Sequence, residues 1–183
     1  MKHDLKLHLG CGSRHIPGFV HIDAVHWPHV DIVSNVDRLP LDDGVASMIY
    51  ASHILEHFDR RQYLEVLDEW YRVLAPGGLI RVSVPDFAAC VAEYHLSGIA
   101  DGLTGLVGLV MGGQRDAYDF HKMIFDERSL TEALRGAGFS VVRRWDWRNT
   151  EHCSVDDYSQ AYLPHLAKND GRLMSLNLEA VKP

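Results

Sequence analysis

Three groups of residues in this chain have the types and spacing to do chemistry. The first is Gly10-Cys11-Gly12 followed by Asp23. Glycine has no Cβ and tolerates positive φ, so a Gly-x-Gly turn lets backbone approach a ligand closely. An acid at the tip of the following strand can accept hydrogen bonds from a ribose diol. The second group is His53-Ile54-Leu55-Glu56-His57, which fits H-x-x-E-H, a zinc-hydrolase pattern with two histidines on one helix face and a glutamate base. Such a site needs a third protein ligand, and the sequence identifies none. With Leu55 in a core and Glu56 and His57 at a helix start, the structural reading is the stronger, and no metal is expected. The third group is Tyr118-Asp119-Phe120-His121-Lys122. Its histidine is equally a candidate general base or an exposed loop residue, and with 12 histidines in the chain, proximity to one decides little. Cys11 lacks the matched histidine and acid of an activated nucleophile; small size explains it better.

The elements that must position these groups follow from hydrophobic pattern. Leu5, Leu7 and Leu9 form a short strand ending at the glycine turn, and Phe19-Val20-His21-Ile22 forms a second one ending at Asp23. Only Ser13 to Gly18 joins them, whereas a parallel crossover usually runs to a dozen residues or more and includes a helix. Either the first helix shrinks to about one turn, or the two strands are not parallel neighbours. A third strand is expected at Val30–Val33 and a buried one at Val45–Tyr50, with apolar residues near helical spacing from Leu55 to Leu74. Ala75-Pro76-Gly77-Gly78 stops that helix, and Leu79–Val84 reads as the next buried strand. This is a βαβ unit, so a doubly wound sheet with its site at the strands' carboxyl ends is expected. Phe87–Leu96 and Ser129–Arg135 read as helices, and Phe139–Arg144 and Ser175–Val181 as the last strands. The apolar, glycine-rich stretch Leu103–Val110 is read first as a core helix, then as a lid or a subunit contact. Trp145, Trp147 and Arg148 are read as core packing before an aromatic acceptor pocket.

Composition narrows the class. A chain of 183 residues, 46% hydrophobic, can bury a sheet-and-helix core, and one domain over 1–183 is the natural expectation. A net charge of −7 with no basic run argues against nucleic acid and anionic membrane as partners. Cys11, Cys90 and Cys153 are too few and too scattered for a disulfide framework or a zinc ribbon. The N-terminal residues lack a signal-peptide pattern, and a cytoplasmic location is expected.

Four segments then occur in a telling order: Leu7-His8-Leu9-Gly10-Cys11-Gly12, Asp37-Arg38-Leu39-Pro40, Ser52-His53-Ile54-Leu55-Glu56-His57 and Arg72-Val73-Leu74-Ala75-Pro76-Gly77-Gly78. Together they resemble the class I S-adenosylmethionine-dependent methyltransferases, in particular the small type 11 methyltransferase-domain group. The resemblance runs from Lys6 to about Asp86 and extends less specifically to Glu132–Phe139. It implies an α/β, Rossmann-like, seven-stranded and mostly parallel sheet of order 3-2-1-4-5-7-6, here with a shortened first crossover. It implies S-adenosyl-L-methionine as cofactor and S-adenosyl-L-homocysteine as product. Carried over position by position, Gly10, Cys11 and Gly12 would pass under the methionine moiety and ribose, and Asp23 would hold the ribose hydroxyls. Asp37, with the backbone of Arg38 and Leu39, would border adenine, and Ser52 and His53 would close the pocket. Material inserted after the fifth strand, around 87–125, would cover a small-molecule or sugar-containing acceptor. His121 and His53 become candidate catalytic groups, and His57, Asp86 and Tyr118 candidate substrate contacts. A homodimer is compatible with the pattern. A non-catalytic nucleoside-binding or subunit protein on the same fold is the alternative, and a zinc hydrolase through His53, Glu56 and His57 a remote one.

Overall fold

The computed structural model describes residues 4–96, 103 and 105–183. The remainder of the expected insertion, 97–102 and 104, lies outside the described residues. Seven strands make one sheet: β1 (Leu5–Leu9), β2 (Val20–Asp23), β3 (Ile32–Val33), β4 (Ala46–Ser52), β5 (Leu74–Pro85), β6 (Ser140–Arg144) and, last in the chain, β9 (Ser175–Val181). Between them, β7 (Tyr162–Leu163) and β8 (Arg172–Leu173) pair separately. The sheet order is β3-β2-β1-β4-β5-β9-β6, with β9 antiparallel to both its neighbours and the other pairs parallel. This is the expected 3-2-1-4-5-7-6 order.

Side chains alternate across a strand, and the two faces of this sheet differ sharply. Leu7 and Leu9 of β1, Ile22 of β2, Ile49 and Ala51 of β4, Ile80, Val82 and Val84 of β5, and Leu176, Leu178 and Ala180 of β9 point into one apolar core. Two helices close it: α1 (Gln62–Val73), through Val66, Leu67, Trp70 and Val73, and α4 (Glu127–Gly136), through Leu130 and Leu134. Each large side chain buried there contributes roughly 1.5–3 kcal/mol relative to exposure. Asp126 and Ser129 form a reciprocal cap that starts α4, with the Ser129 amide 2.7 Å from Asp126 Oδ1. Trp70 also donates from Nε1 to Val36 O at 2.8 Å, tying α1 to the loop before β4.

The other face carries His8, His21, Met48, Tyr50, Arg81, Asn177 and Glu179, and loops rather than helices cover it. Ile16 and Phe19 from the first crossover meet Met48, Tyr50 and Trp145 in a small second cluster. The first crossover therefore contains no helix, and β1 and β2 are nonetheless parallel neighbours. It holds its shape by short bonds: Ile16 donates its amide to His21 Nε2 at 2.9 Å, and Arg14 donates its own to Cys11 O at 2.9 Å.

Other expectations shift in detail. The third strand is only Ile32–Val33. The helix expected from Leu55 begins at Gln62, because Asp59 Oδ1 accepts the Arg61 and Gln62 amides at 2.9 and 3.0 Å and opens the helix there; Leu55–His57 is a separate 3-10 turn. α2 (Phe87–Leu96) has the expected bounds. Among the described residues of the stretch read as a core helix, only α3 (Val107–Met111) is helical and none of its residues is buried; Leu106, just before it, is buried in a small separate cluster with Ala89, Cys90 and Met174. Trp145 is buried as expected, whereas Trp147 packs under the Arg148 guanidinium, 4.5 Å from the ring centroid.

Candidate active site

The carboxyl ends of β1, β2 and β4 converge. Gly10 and Gly12 both take positive φ, +59 and +52 degrees. A Cβ on Gly10 would lie 2.0 Å from Ile54 Cδ1, so only glycine fits there. A Cβ on Gly12 would meet nothing within 4 Å, so the space above it is open. Asp23 reaches back from the tip of β2 to this turn: its Oδ2 accepts the Gly12 amide at 2.7 Å and its Oδ1 the Val25 amide at 2.8 Å. Each oxygen keeps a lone pair for a further donor. Cys11 is buried, and desolvation pushes its thiol up to about 12, so it is no nucleophile.

The residues expected near adenine are less open. Asp37 and Arg38 are exposed, but Leu39 is buried and its amide already donates to Glu69 Oε1 at 2.7 Å. That amide is therefore taken. Ser52, at the end of β4, has a buried Oγ with no hydrogen-bond partner.

Beyond β4 the chain turns sharply at His53, which takes φ +55 degrees, a left-handed conformation uncommon outside glycine. His53 therefore does not share a helix face with His57, and the H-x-x-E-H pattern lacks the helical scaffold a zinc hydrolase would need. A cavity of about 510 Å³ opens beside it. Its walls include Arg14 from the first crossover, His53, His57, His121, Tyr158 and Asp157. Tyr158 lies over His53 with ring centroids 5.4 Å apart. Asp157 is held beneath by Tyr50 Oη, which donates to its Oδ2 at 2.5 Å. Segment 119–123 is zipped to the 3-10 turn by the Lys122 and Met123 amides, 2.8 and 3.1 Å from Glu56 O, and this carries His121 to the cavity wall.

The imidazoles here have defined protons. His57 Nδ1 lies 3.1 Å from Phe120 O and His121 Nδ1 2.9 Å from Leu109 O. A carbonyl only accepts, so each Nδ1 carries the hydrogen and each Nε2 keeps a lone pair. His53 Nε2 lies 3.0 Å from Ser175 Oγ, and Ser175 donates to Asn177 Oδ1 at 2.8 Å. Asn177 in turn donates to Ser159 O at 2.9 Å, which fixes its amide orientation. Ser175 must then accept from His53 Nε2, and His53 Nδ1 keeps its lone pair. Behind these rings sits Glu56, fully buried, with neither carboxylate oxygen hydrogen-bonded. Burial raises its pKa to about 8, and burial with the neighbouring histidines lowers His53 to about 3.

Asp86 and Tyr118 stand elsewhere. Asp86 Oδ1 accepts the Ala88 amide at 3.0 Å, capping α2, and Tyr118 is exposed; neither lines the cavity. Sequence reasoning missed Arg14, Asp157 and Tyr158, which come from loops with no periodic signal.

Comparison with known proteins bears on the fold and on the family. Residues 17–82 match the family model described as a methyltransferase domain; the glycine turn lies before the matched segment. A probable S-adenosylmethionine-dependent methyltransferase of Mycolicibacterium smegmatis is 29% identical over 123 residues, which is 66% of this chain and 39% of that protein. The chain thus spans well under half the length of this curated relative. A methyltransferase of this cofactor class from Archaeoglobus fulgidus superposes with a TM-score of 0.61 at 14% identity, over 99% of this chain and 87% of that one. The 1,6-didemethyltoxoflavin-N1-methyltransferase of Burkholderia thailandensis, solved with 1,6-didemethyltoxoflavin and S-adenosylhomocysteine, gives 0.59 at 17% identity, over 97% and 70%. At such identities the two structures establish the fold. The family match over 17–82, the curated relative and the shared fold make the chain similar to the class I S-adenosylmethionine-dependent methyltransferases. Among the described residues no helix is long and apolar enough to cross a membrane.

Proposed function

We propose that the chain transfers a methyl group from S-adenosylmethionine to a small polar acceptor held in the cavity beside His53. The observation that carries this reading is the Asp23–Gly12 bond, which braces an open glycine turn two residues before Arg14, itself part of the wall of a cavity of small-molecule size. Gly10, Gly12 and Asp23 would hold the cofactor, with Ser52 at the end of β4. When bound, the cofactor supplies an electrophilic methyl group on a sulfonium.

Methyl transfer is an in-line displacement, so the chain chiefly contributes alignment and water exclusion. Tyr158 and the loop beneath it roof the cavity. Its walls carry Asp156, Arg14 and Arg115 beside Leu109, Leu163 and Met174, which suits a small acceptor, sugar-containing or not, that pairs polar groups with an apolar face. His57 and His121 present their Nε2 lone pairs at the cavity wall, where they would help to position an acceptor. His53 has its Nε2 committed to Ser175 and acts as a positioning residue. The Burkholderia neighbour, an N1-methyltransferase solved with a small acceptor, supports a small molecule as acceptor.

Isothermal titration with S-adenosylmethionine and, separately, S-adenosylhomocysteine tests the reading. Micromolar binding of both is expected. Absence of heat and of thermal stabilisation with either would overturn it in favour of a non-catalytic role for the fold.

A further inference from the structure

Glu56 is the least ordinary residue in the molecule. It is fully buried, and both of its carboxylate oxygens lack a hydrogen-bond partner. A carboxylate taken out of water with no donor is costly to keep. Yet three imidazole nitrogens crowd it: His53 Nδ1 is 3.3 Å and His121 Nε2 3.9 Å from Oε1, and the ligand atoms of Glu56, His57 and His121 all lie within 4.8 Å of one another. None of these nitrogens offers a hydrogen. The Nδ1 protons of His57 and His121 go to Phe120 O and Leu109 O, and the relay through Ser175 and Asn177 keeps the His53 proton on Nε2. Free of metal, Glu56 can keep its own proton and turn it to His53 Nδ1; once it is ionised, lone pairs on four side chains face one another around a single point.

We propose that Glu56, His57 and His121 bind a divalent transition-metal cation of the zinc class at that point, with His53 Nδ1 beside them as a further donor. A cation is what converging lone pairs lack. The outer contacts are those of metal ligands: a metal-bound histidine almost always donates its other ring N–H to a carbonyl or carboxylate, and His57 and His121 both donate to backbone carbonyls. Imidazole with one carboxylate suits zinc, cobalt or iron better than magnesium or calcium, which take mostly oxygen. Zinc bonds of about 2.0–2.1 Å place tetrahedral ligand atoms about 3.3 Å apart, so the side chains close by up to about 1.5 Å on binding. His53, His57 and His121 all line the cavity. With Glu56, His57 and His121 bound, the fourth tetrahedral position is left for His53 Nδ1 or for a water facing the cavity. Glu56 is here a ligand and not the base of a hydrolase, and His121, 64 residues beyond His57 in the sequence, is the third ligand.

The test uses tag-free full-length protein, dialysed against chelator and titrated with Co²⁺ by visible absorption, then with Zn²⁺ in competition. Uptake of one Co²⁺ per chain with d–d bands, displaced by Zn²⁺, is expected. Glu56→Gln keeps shape and burial without charge and should weaken Co²⁺ binding at least 100-fold. His57→Ala, on a half-exposed side chain, should do the same with the fold intact by circular dichroism. Failure of the native protein to take up either metal, or equal uptake by folded His57→Ala protein, would overturn the site. Binding of S-adenosylhomocysteine to the metal-free protein is read separately, so the cofactor reading stands or falls on its own measurement.

Discussion

Asp23 Oδ2 accepts the Gly12 amide at 2.7 Å, joining the tip of one strand to the turn that ends its neighbour. The acid thus has a structural duty beside the ribose contact proposed for it. Asp23→Ala removes two charge-assisted bonds from a buried carboxylate, to Gly12 and Val25. The expected cost is about 2–4 kcal/mol in total, or a fall in Tm of about 5–15 °C for a chain of this size. S-adenosylhomocysteine affinity should drop at least tenfold. Calorimetry and a thermal scan check both halves; unchanged affinity would remove Asp23 from the ribose role.

Gly10 is a packing requirement as well as a conformational one. In Gly10→Ala the new methyl meets Ile54 Cδ1 at 2.0 Å in a backbone at φ +59 degrees. Positive φ costs about 1 kcal/mol and overpacking about 1–3 more. Combining it with Ile54→Ala should relieve the second cost and leave the first. A urea-unfolding double-mutant cycle separates them, and strict additivity would show that the clash is not what excludes alanine.

Glu69 clamps the loop before β4. It accepts the Leu39 amide at 2.7 Å and two bonds from Arg72, which itself donates to Leu41 O at 2.8 Å. In Glu69→Ala the Leu39 amide should exchange its hydrogen about tenfold faster, the equivalent of about 1.4 kcal/mol. Hydrogen exchange followed at that amide reads this directly; unaltered protection would mean that Trp70 and Arg72 hold the loop without Glu69.

Acid should destabilise the protein through His8. This ring is packed against His21, Phe19 and Tyr50, and burial, reinforced by His21 and His152, lowers its pKa from 6.5 to about 3. Below pH 6.5 the unfolded chain takes a proton that the folded chain refuses. Stability therefore falls as pH drops from 6.5 towards 3, by up to about 1.4 kcal/mol per pH unit from this group. His8→Phe keeps an aromatic ring and removes the titration. Its urea midpoint should move less between pH 7 and pH 5 than that of the native chain; equal shifts would assign the acid sensitivity to other residues.

Much of the sheet is readable along the chain because its signal is local. Leu7 and Leu9 alternate with His8, Ile49 and Ala51 with Tyr50, and period two needs no knowledge of partners. The limits of α2 were readable for the same reason. The helix-free crossover was not, since its closure rests on the Ile16 amide and the His21 ring. Nor was the late start of α1, although Asp59, three residues before Gln62, carries a capping signal that could have marked it. The site divides likewise. Gly10, Gly12 and Asp23 follow from strand ends, whereas Glu56 meets His121 only because Lys122 and Met123 pair with the Glu56 carbonyl. Tyr158 and Asp157 arrive on a loop whose path no periodicity records.

The loop-covered face of the sheet has a bearing on how the chain comes into being. Phe19 and Tyr50 find their cover in Trp145 and His152, and the Tyr50 hydroxyl closes on Asp157, 107 residues further on. A nascent chain emerging from the ribosome would have made β1, β2 and β4 long before that cover was synthesised. One side of the young sheet would stay bare, with apolar Ile16, Phe19 and Met48 open to wrong partners. Non-local closure of this kind slows folding and lengthens exposure to aggregation. Translation must therefore run past Asp157 before Phe19 and Tyr50 have their cover.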